Sequence, residues 1–381
     1  MNAIPYILLS VFLFFLYLNE VRKIKLISVI NARKVSFLTL LIFIGLRGHI
    51  YSDFINYYVY FENLPDIFNL TSSTFTEWYF EPGFTLYSSL VKTIFPDYFG
   101  WVFVNTLIDI LVFQYVFKRY TYSEILPLIF FLAFNGLYIE FNLYRNVKAI
   151  DLFLLSLPFL ENRRLLPYMA LNTLGMTFHT TSIIYLPLYF ILDKEIPRYI
   201  RWIGIIIANV IFLLQFSVIG DFLNSLSLFQ TMSFYDKLSG HIENSDAGQN
   251  ISFGYIERTF SILIFTFLYN KLVQQSRSNV IFYNCFWLYY VSFLCFYEVR
   301  VLVDRIPTLF MFSYWILYPN ILNLKFNVRQ LICLSSFILV FMKIFLSNNI
   351  PPAKYDNLLF GIEDYHSRKQ TYELYVNNNY E

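Results

Sequence analysis

Charged residues are scarce in this sequence. Asp, Glu, Lys and Arg make up only 14% of it, against about 25% in soluble globular proteins, while 57% of the residues are hydrophobic. This deficit excludes an ordinary soluble fold and predicts an all-α, polytopic integral membrane protein. The net charge is +2, and no basic block interleaved with aromatics occurs outside short loops, so no nucleic-acid partner is expected.

Motifs for metals and nucleotides are also missing. The chain contains no Asp-x-Asp pair, His-x-x-x-His, Cys-x-x-Cys, P-loop or Gly-x-Gly-x-x-Gly motif. Its cysteines, Cys285, Cys295 and Cys333, all fall in apolar runs and are odd in number, which argues against a disulfide framework. We therefore expect an activity that needs neither a metal nor a cofactor.

Aromatic residues and long apolar runs are abundant instead. The 44 Phe and 32 Tyr residues exceed what belts at the membrane surface require, so many rings must pack between helices or line a cavity. Hydropathy predicts apolar runs at about 4–19, 35–46, 83–95, 98–117, 124–142, 146–160, 165–192, 202–219, 255–270, 279–297, 306–322 and 330–347.

Basic residues give the orientation of these runs. Lys and Arg between residues 22 and 34 place the first loop in the cytoplasm and the N-terminus outside. Lys118 and Arg119 should also be inside, so an even number of crossings must separate them from that loop. Three runs lie between, and the weakest candidate is the run 83–95, whose roughly 13 residues are short for a span. We interpret this run, which begins at Pro82-Gly83, as a re-entrant or interfacial helix.

The run 165–192 must cross twice to return to the inside, which makes each crossing unusually short. His179 would then lie at a turn below the outer surface, with neighbouring hydroxyl groups satisfying the exposed backbone. The resulting scheme has about twelve crossings in one membrane domain, residues 1–347. It places loops 47–80 and 220–252 and the polar tail 348–381 outside.

Several charged side chains converge at the outer ends of the predicted spans. They are Arg47, Asp53, Glu81, Arg145, His179, Arg300 and Arg305. Arginines grouped on one side suit a diphosphate, because the guanidinium group binds two oxygens at once and keeps its charge. The alternative is that these arginines serve helix packing by pairing with Glu140, Glu298 or Asp304.

The order of these residues resembles that of the EpsG family of polysaccharide polymerases, relatives of the Wzy O-antigen polymerases, over about residues 40–360. The matching motifs are Arg47-Gly48 with Asp53 and Tyr57, then Glu81-Pro82-Gly83-Phe84, Arg145, Phe178-His179-Thr180-Thr181-Ser182, and Arg305 ahead of Phe310. Ser52 and Asn146 depart from the family's usual glycine and glutamine.

The resemblance implies a metal-independent glycosyltransferase with a glycosyltransferase-C-like fold in the bacterial plasma membrane. Such enzymes join oligosaccharide repeat units carried on undecaprenyl diphosphate at the outer face, for exopolysaccharide or lipopolysaccharide biosynthesis. The expected partners are this lipid-linked substrate, membrane lipid and a chain-length regulator.

Each candidate residue has a chemical role in such a transfer. Arg47, Arg145, Arg300 and Arg305 would bind the diphosphate and stabilise the charge that develops on the leaving group. His179 is the first candidate for the general base that accepts the proton of the acceptor hydroxyl, with Asp53 and Glu81 as rivals. Glu81 has a further interpretation, as the cap of the helix that begins at Pro82.

Two other classes of function remain open from sequence. A flippase or other transporter of lipid-linked oligosaccharide would also be apolar and lined with arginines, but it should carry charges along a path to both sides and often has repeated halves. A membrane acyltransferase acting on polysaccharide would also use a histidine base, yet its acyl donor comes from the cytoplasm, where no matching cluster of His and acidic residues is found.

Overall fold

The computed structural model describes residues 2–77, 80–216, 251–325 and 329–380. The chain divides into two compact units, of which the first comprises residues 1–189 and 318–381 and the second residues 190–317. The described residues contain helices and no strand, only isolated bridges such as Arg47 with Asn357. The predicted all-α class is therefore confirmed, whereas the single membrane domain stays a prediction.

Most of the helices belong to the first unit. They are α1 (Ile4–Glu20), α2 (Val29–Gly45), α3 (Phe54–Asn63), α4 (Thr74–Glu77), α5 (Pro82–Ile94), α6 (Tyr98–Tyr120), α7 (Leu126–Ala133), α8 (Gly136–Asn142), α9 (Tyr144–Glu161), α10 (Leu165–Met176) and α11 (Tyr185–Leu188). The second unit contains α12 (Arg198–Leu213), α13 (Phe253–Phe267), α14 (Tyr269–Gln275), α15 (Asn279–Cys295) and α16 (Arg300–Arg305). The first unit is completed by α17 (Ser313–Asn323, whose last residues belong to this unit), α18 (Arg329–Asn348) and α19 (Tyr365–Tyr380).

Two of these helices are long and apolar enough to cross a membrane, α6 with 23 residues and α18 with 20. Helices α1 and α15 are apolar but shorter, at 17 residues each. The side chain of Asp97 starts α6 by accepting a hydrogen bond from the amide of Gly100 at 2.8 Å. These helices agree with a membrane protein, while the number of crossings stays a prediction.

Several predicted boundaries need correction. Helix α2 begins at Val29, so Arg33 and Lys34 lie within it and not in the preceding loop; Ser28 caps it by accepting from the amide of Asn31. The run 124–142 is not one helix, because Asn135 adopts a left-handed conformation with φ 58° and separates α7 from α8. This short polar side chain tolerates that conformation better than most residues do.

The short helix expected after Pro82 is confirmed as α5, which has 13 residues and begins with Pro82 at its first position. The run 165–192 also breaks where expected. Helix α10 ends at Met176, and His179 then begins a 3-10 helix over Thr180–Ile184.

The C-terminal tail belongs to the first unit and packs on the segment that follows α2. The amide of Leu358 donates to the carbonyl of Leu46 at 2.8 Å, and that of Tyr51 donates to the carbonyl of Pro352 at 2.8 Å. Arg368 is 2% exposed and binds Asp356 at 2.9 Å. The tail is thus tied to residues 46–51 by backbone hydrogen bonds.

The second unit has a polar core of its own. Tyr314 donates to the carboxylate of Glu257 at 2.7 Å, and Arg258 donates to the hydroxyl of Tyr289 at 2.6 Å. Arg201 lies 3.6 Å from the ring centroid of Tyr269. Cation–aromatic contacts of this kind stabilise charges that are removed from water.

Candidate functional site

Arg145 is the centre of a cluster in the first unit. It lies in the first turn of α9, and its NH1 forms a 2.6 Å ion pair with the carboxylate of Glu81. Its Nε donates to the hydroxyl of Tyr57 on α3 at 3.2 Å, and its guanidinium lies 4.4 Å from the ring centroid of Phe80. The side chain remains 23% exposed. Helix α3 and the segment before α5 therefore hold a guanidinium that can still contact a ligand.

Glu81 connects this arginine to the turn after α10. One carboxylate oxygen binds Arg145 and the other accepts from the amide of Thr180 at 3.1 Å. Burial acts to raise the pKa of Glu81, but the charge of Arg145 and the Thr180 hydrogen bond outweigh it and hold the pKa below its usual value. The side chain makes no capping bond to α5. Glu81 is therefore an ionised bridge between α9 and the turn, and its capping interpretation is not supported.

The start of α5 rests directly on that turn. The amides of Gly83 and Phe84 donate to the carbonyl of Thr177 at 2.9 and 3.2 Å. A Cβ atom at Gly83 would lie 2.1 Å from Oγ1 of Thr177 and 2.9 Å from its carbonyl oxygen. The close approach of the two backbones thus requires a glycine at this position.

His179 is 6% exposed and lies at the start of the 3-10 helix. Its Nδ1 accepts a hydrogen bond from the amide of Thr181 at 3.3 Å and lies 2.6 Å from the hydroxyl of the same residue. An amide can only donate, so Nδ1 is the unprotonated nitrogen and the neutral ring carries its proton on Nε2. In this tautomer Nε2 presents a donor.

Asp53 lies at the start of α3, where it is half-buried. The amides of Ser52 and Asp53 both donate to the side-chain oxygen of Asn142 at 3.2 Å, which fixes this turn against the end of α8. Burial raises the pKa of Asp53 to about 6, against the opposing effects of the Ser52 hydroxyl and of Arg145. The carboxyl group is thus poised to exchange a proton near neutral pH.

Arg47 is 2% exposed, and its guanidinium is bonded within the protein. NH1 donates to the carbonyl of Ile44 and to Thr106, while NH2 donates to the carbonyl of Glu140 and to the hydroxyl of Tyr144, each of the last two at 2.7 Å. Arg47 therefore joins the end of α2 to α6, α8 and α9. Its partner Tyr144 directly precedes Arg145 in the chain.

The two remaining candidate arginines lie in the second unit. Arg300 and Arg305 are the first and last residues of α16. The first unit brings together Arg145, Glu81, Asp53 and the turn of His179. Arg47 is connected to this group through its hydrogen bond with Tyr144. The binding of a diphosphate by Arg47, Arg145, Arg300 and Arg305 stays a prediction.

No group of three or more His, Cys, Asp or Glu side chains in the described parts of the chain is arranged to hold a metal ion. The cluster can nevertheless do acid–base chemistry. It combines a partly exposed arginine, an ionised carboxylate and a carboxyl group with a raised pKa, which are the parts required for a transfer with an anionic leaving group.

The family model that describes EpsG proteins matches residues 30–360, which is most of the chain. The protein belongs to the EpsG family. EpsG is a family of Wzy-like polymerases, so the membership supports a membrane protein of exopolysaccharide biosynthesis. No curated protein and no solved structure gives a significant match.

The matched region of this EpsG protein also contains polar residues that were not predicted as part of the site. Asn142 fixes the turn of Asp53, and Tyr144 binds Arg47. Lys148 and Asp109 form a buried ion pair on α9 and α6. A sequence signal for the ion pair exists, because a charged residue within an apolar run is costly and so marks a functional or pairing role.

Proposed function

We propose that this EpsG protein polymerises oligosaccharide repeat units carried on undecaprenyl diphosphate at the outer face of the bacterial plasma membrane. The convergence of Arg145, Glu81 and Asp53 from three segments of a polymerase-family chain is the observation that supports it. The chain would cross the membrane about twelve times, with loops 47–80 and 220–252 outside.

The chemical step is a displacement at the anomeric carbon of the donor. The acceptor hydroxyl oxygen forms a bond to this carbon as the bond from carbon to phosphate oxygen breaks. Undecaprenyl diphosphate leaves with the electron pair of that bond, and the hydroxyl proton passes to a base of the protein. Arg145 stabilises the charge on the leaving diphosphate, so no metal is required by this scheme.

Asp53 is the base that we infer. Its pKa of about 6 leaves it largely ionised at neutral pH, yet basic enough to take a proton. Glu81 is less suited, because both of its oxygens are engaged and its pKa is lowered. His179 would act through Nε2–H as a donor to a sugar or phosphate oxygen, since its Nδ1 accepts the Thr181 amide.

The four arginines would have two different roles, binding of the diphosphate and support of α9. Arg145 contacts the diphosphate with the part of its guanidinium that is exposed, whereas buried Arg47 supports Tyr144 and thus the start of α9. We propose Arg300 and Arg305 as further diphosphate ligands, on the basis of their predicted place at the outer end of a span.

Polymerisation of purified lipid-linked repeat units in vitro tests the function. The wild-type protein in detergent or liposomes should convert single units into a ladder of longer lipid-linked chains and release undecaprenyl diphosphate. Transport of the units across liposomes without any ladder would instead indicate a flippase. In cells, deletion should leave single capped units, whereas loss of a flippase leaves none.

A further inference from the structure

A buried ion pair lies one helical turn away from Arg145. Lys148 follows Arg145 by three residues on α9, so that the two side chains share one face of the helix. Lys148 is 4% exposed and forms an ion pair with Asp109 of α6, which is 1% exposed. Burying two charges in a membrane helix bundle is costly, and such residues commonly have a role beyond packing.

Lys148 also contacts α5, the helix that follows Glu81. Its Nζ donates to the carbonyl of Asn105 on α6 at 2.9 Å. The side-chain oxygen of Asn105 accepts from the hydroxyl of Tyr87 on α5 at 3.2 Å, and the Tyr87 ring centroid lies 6.0 Å from Nζ of Lys148. One ammonium group therefore connects α6, α9 and α5.

The same contacts extend to the turn of His179. The Tyr87 ring lies 5.9 Å from that of Phe178, the residue before His179. The connected elements are thus those that carry Arg145, Glu81 and His179. A shift of α9 against α6 would change the position of Arg145 relative to both Glu81 and Asp53.

We propose that Lys148 and Asp109 are positioning residues. They fix the position of α9 and α5 along α6, so that Arg145 contacts Glu81 and lies near Asp53. This inference rests on the proposed function. Neither residue touches substrate in this scheme. Their effect on catalysis passes through the placement of Arg145.

The pH dependence of turnover reports this placement. The groups around Asp53 are Ser52, Asn142, Tyr57 and Arg145, and the charge of Arg145 lowers the pKa of Asp53. If Arg145 moves away, the pKa of Asp53 rises. The acid limb of the pH profile, where kcat falls as Asp53 is protonated, then moves to higher pH. A variant that only reduces the amount of folded enzyme leaves the limb where it was.

Asp109→Asn separates positioning from direct electrostatics. Removing a negative charge acts directly to lower the pKa of Asp53, whereas loss of the ion pair lets Arg145 drift and raises it. We expect kcat to fall about tenfold or more and the acid limb to move up by about half a pH unit or more. A limb that is unmoved, or that moves down, overturns the positioning role.

The double variant Asp109→Asn with Lys148→Met removes both charges of the pair, and so avoids leaving one of its two charges buried without the other. We expect it to be folded and still to show the lowered kcat and raised limb. Full recovery of both would mean that the pair only balances charge, which overturns the proposal. Lys148→Arg should retain most activity, because it keeps the charge.

Two further variants complete the experiment. Tyr87→Phe, which changes no charge, should lower kcat about twofold to tenfold by releasing α5 from Asn105. Lys343→Met, at a buried lysine of α18 that is 8% exposed, is the matched control and should leave the limb unchanged. A wild-type protein that makes no ladder contradicts the proposed function itself; an active wild type with unmoved limbs in all variants contradicts only the positioning role.

Discussion

The carboxyl group of Asp53 has the environment that a general base needs near neutral pH. It is half-buried at the start of a helix, and burial raises its pKa to about 6 while Arg145 keeps it from rising further. His179 is held differently, because its Nδ1 accepts an amide hydrogen bond. At the scale of single residues, we therefore propose that the carboxylate accepts the proton and that the imidazole donates a hydrogen bond.

Turnover should fall as the pH drops through about 6, because protonation of Asp53 removes the base. Asp53→Asn should lower kcat by about 10² to 10⁴ at neutral pH and abolish this acid limb. Rates of ladder formation between pH 5 and 8 provide the measurement. His179→Ala is the rival variant, and a larger loss there, with Asp53→Asn nearly active, would make His179 the base.

Lysine should not replace Arg145. The guanidinium binds Glu81 and Tyr57 at once and keeps a further nitrogen for the ligand, whereas an ammonium group lacks this planar fork. We expect Arg145→Lys to lower polymerisation about tenfold or more at equal protein amount. Arg119→Lys, at an exposed ion pair with Glu161, is the matched control and should be near normal. Near-normal polymer length in Arg145→Lys would refute binding of the diphosphate by this guanidinium.

At the scale of elements, the contact between α5 and the turn after α10 brings two distant segments of the chain together. The backbone of Gly83 meets that of Thr177, and Glu81 reaches Thr180 beside it. Because both segments are short and irregular, backbone hydrogen bonds between them replace those that a continuous helix would form within itself.

Gly83→Ala should disrupt this contact. The added methyl group would meet Oγ1 of Thr177 at 2.1 Å and its carbonyl oxygen at 2.9 Å, so α5 must move away from the turn. We expect at least tenfold lower activity and a melting temperature lowered by a few degrees, roughly what 1–2 kcal/mol of strain would cause.

Gly175→Ala is the matched control for that variant. Its added methyl group would have no neighbour nearer than 3.5 Å, which is ordinary contact, and it lies within α10. It should be as stable and active as the wild type. Equal melting temperatures and equal activities of the two variants would show that the close approach at Gly83 is not required for function. The melting temperature and the ladder assay measure both.

At the scale of the whole molecule, the first unit contains both the segment around Arg47, with which loop 47–80 begins, and the C-terminal tail. The bonds from Leu358 to Leu46 and from Tyr51 to Pro352 fix the tail beside Arg47. The tail and loop 47–80 must therefore lie on the same side of the membrane, whichever side that is.

Cysteine labelling tests this arrangement in intact cells. With the three native cysteines replaced, single cysteines at Phe360, which is 89% exposed, and at Phe68, which is 85% exposed, should both react with an impermeant thiol reagent. A cysteine at Lys118 should react only after permeabilisation. Labelling of Lys118 but not Phe68 in intact cells would reverse the orientation, and opposite results at Phe68 and Phe360 would contradict the packing of the tail.

Composition and order determined the class of this protein and its family. The scarcity of charge indicates a membrane protein, and the motifs from Arg47 to Arg305 were sufficient to indicate the EpsG family. The break at His179 and the short helix after Pro82 were also predictable, because run length and glycine or proline at helix ends are local properties.

Only the tertiary structure decided which charged residues meet. Sequence offered Glu140 as a partner for the arginines, yet Arg145 pairs with Glu81, and Arg47 binds the backbone of Glu140 and not its carboxylate. Hydrogen bonds and pKa values depend on distances between segments that lie far apart in the chain, and hydropathy does not encode such distances. The tautomer of His179, the raised pKa of Asp53 and the contact of Lys148 with Asp109 follow from packing alone.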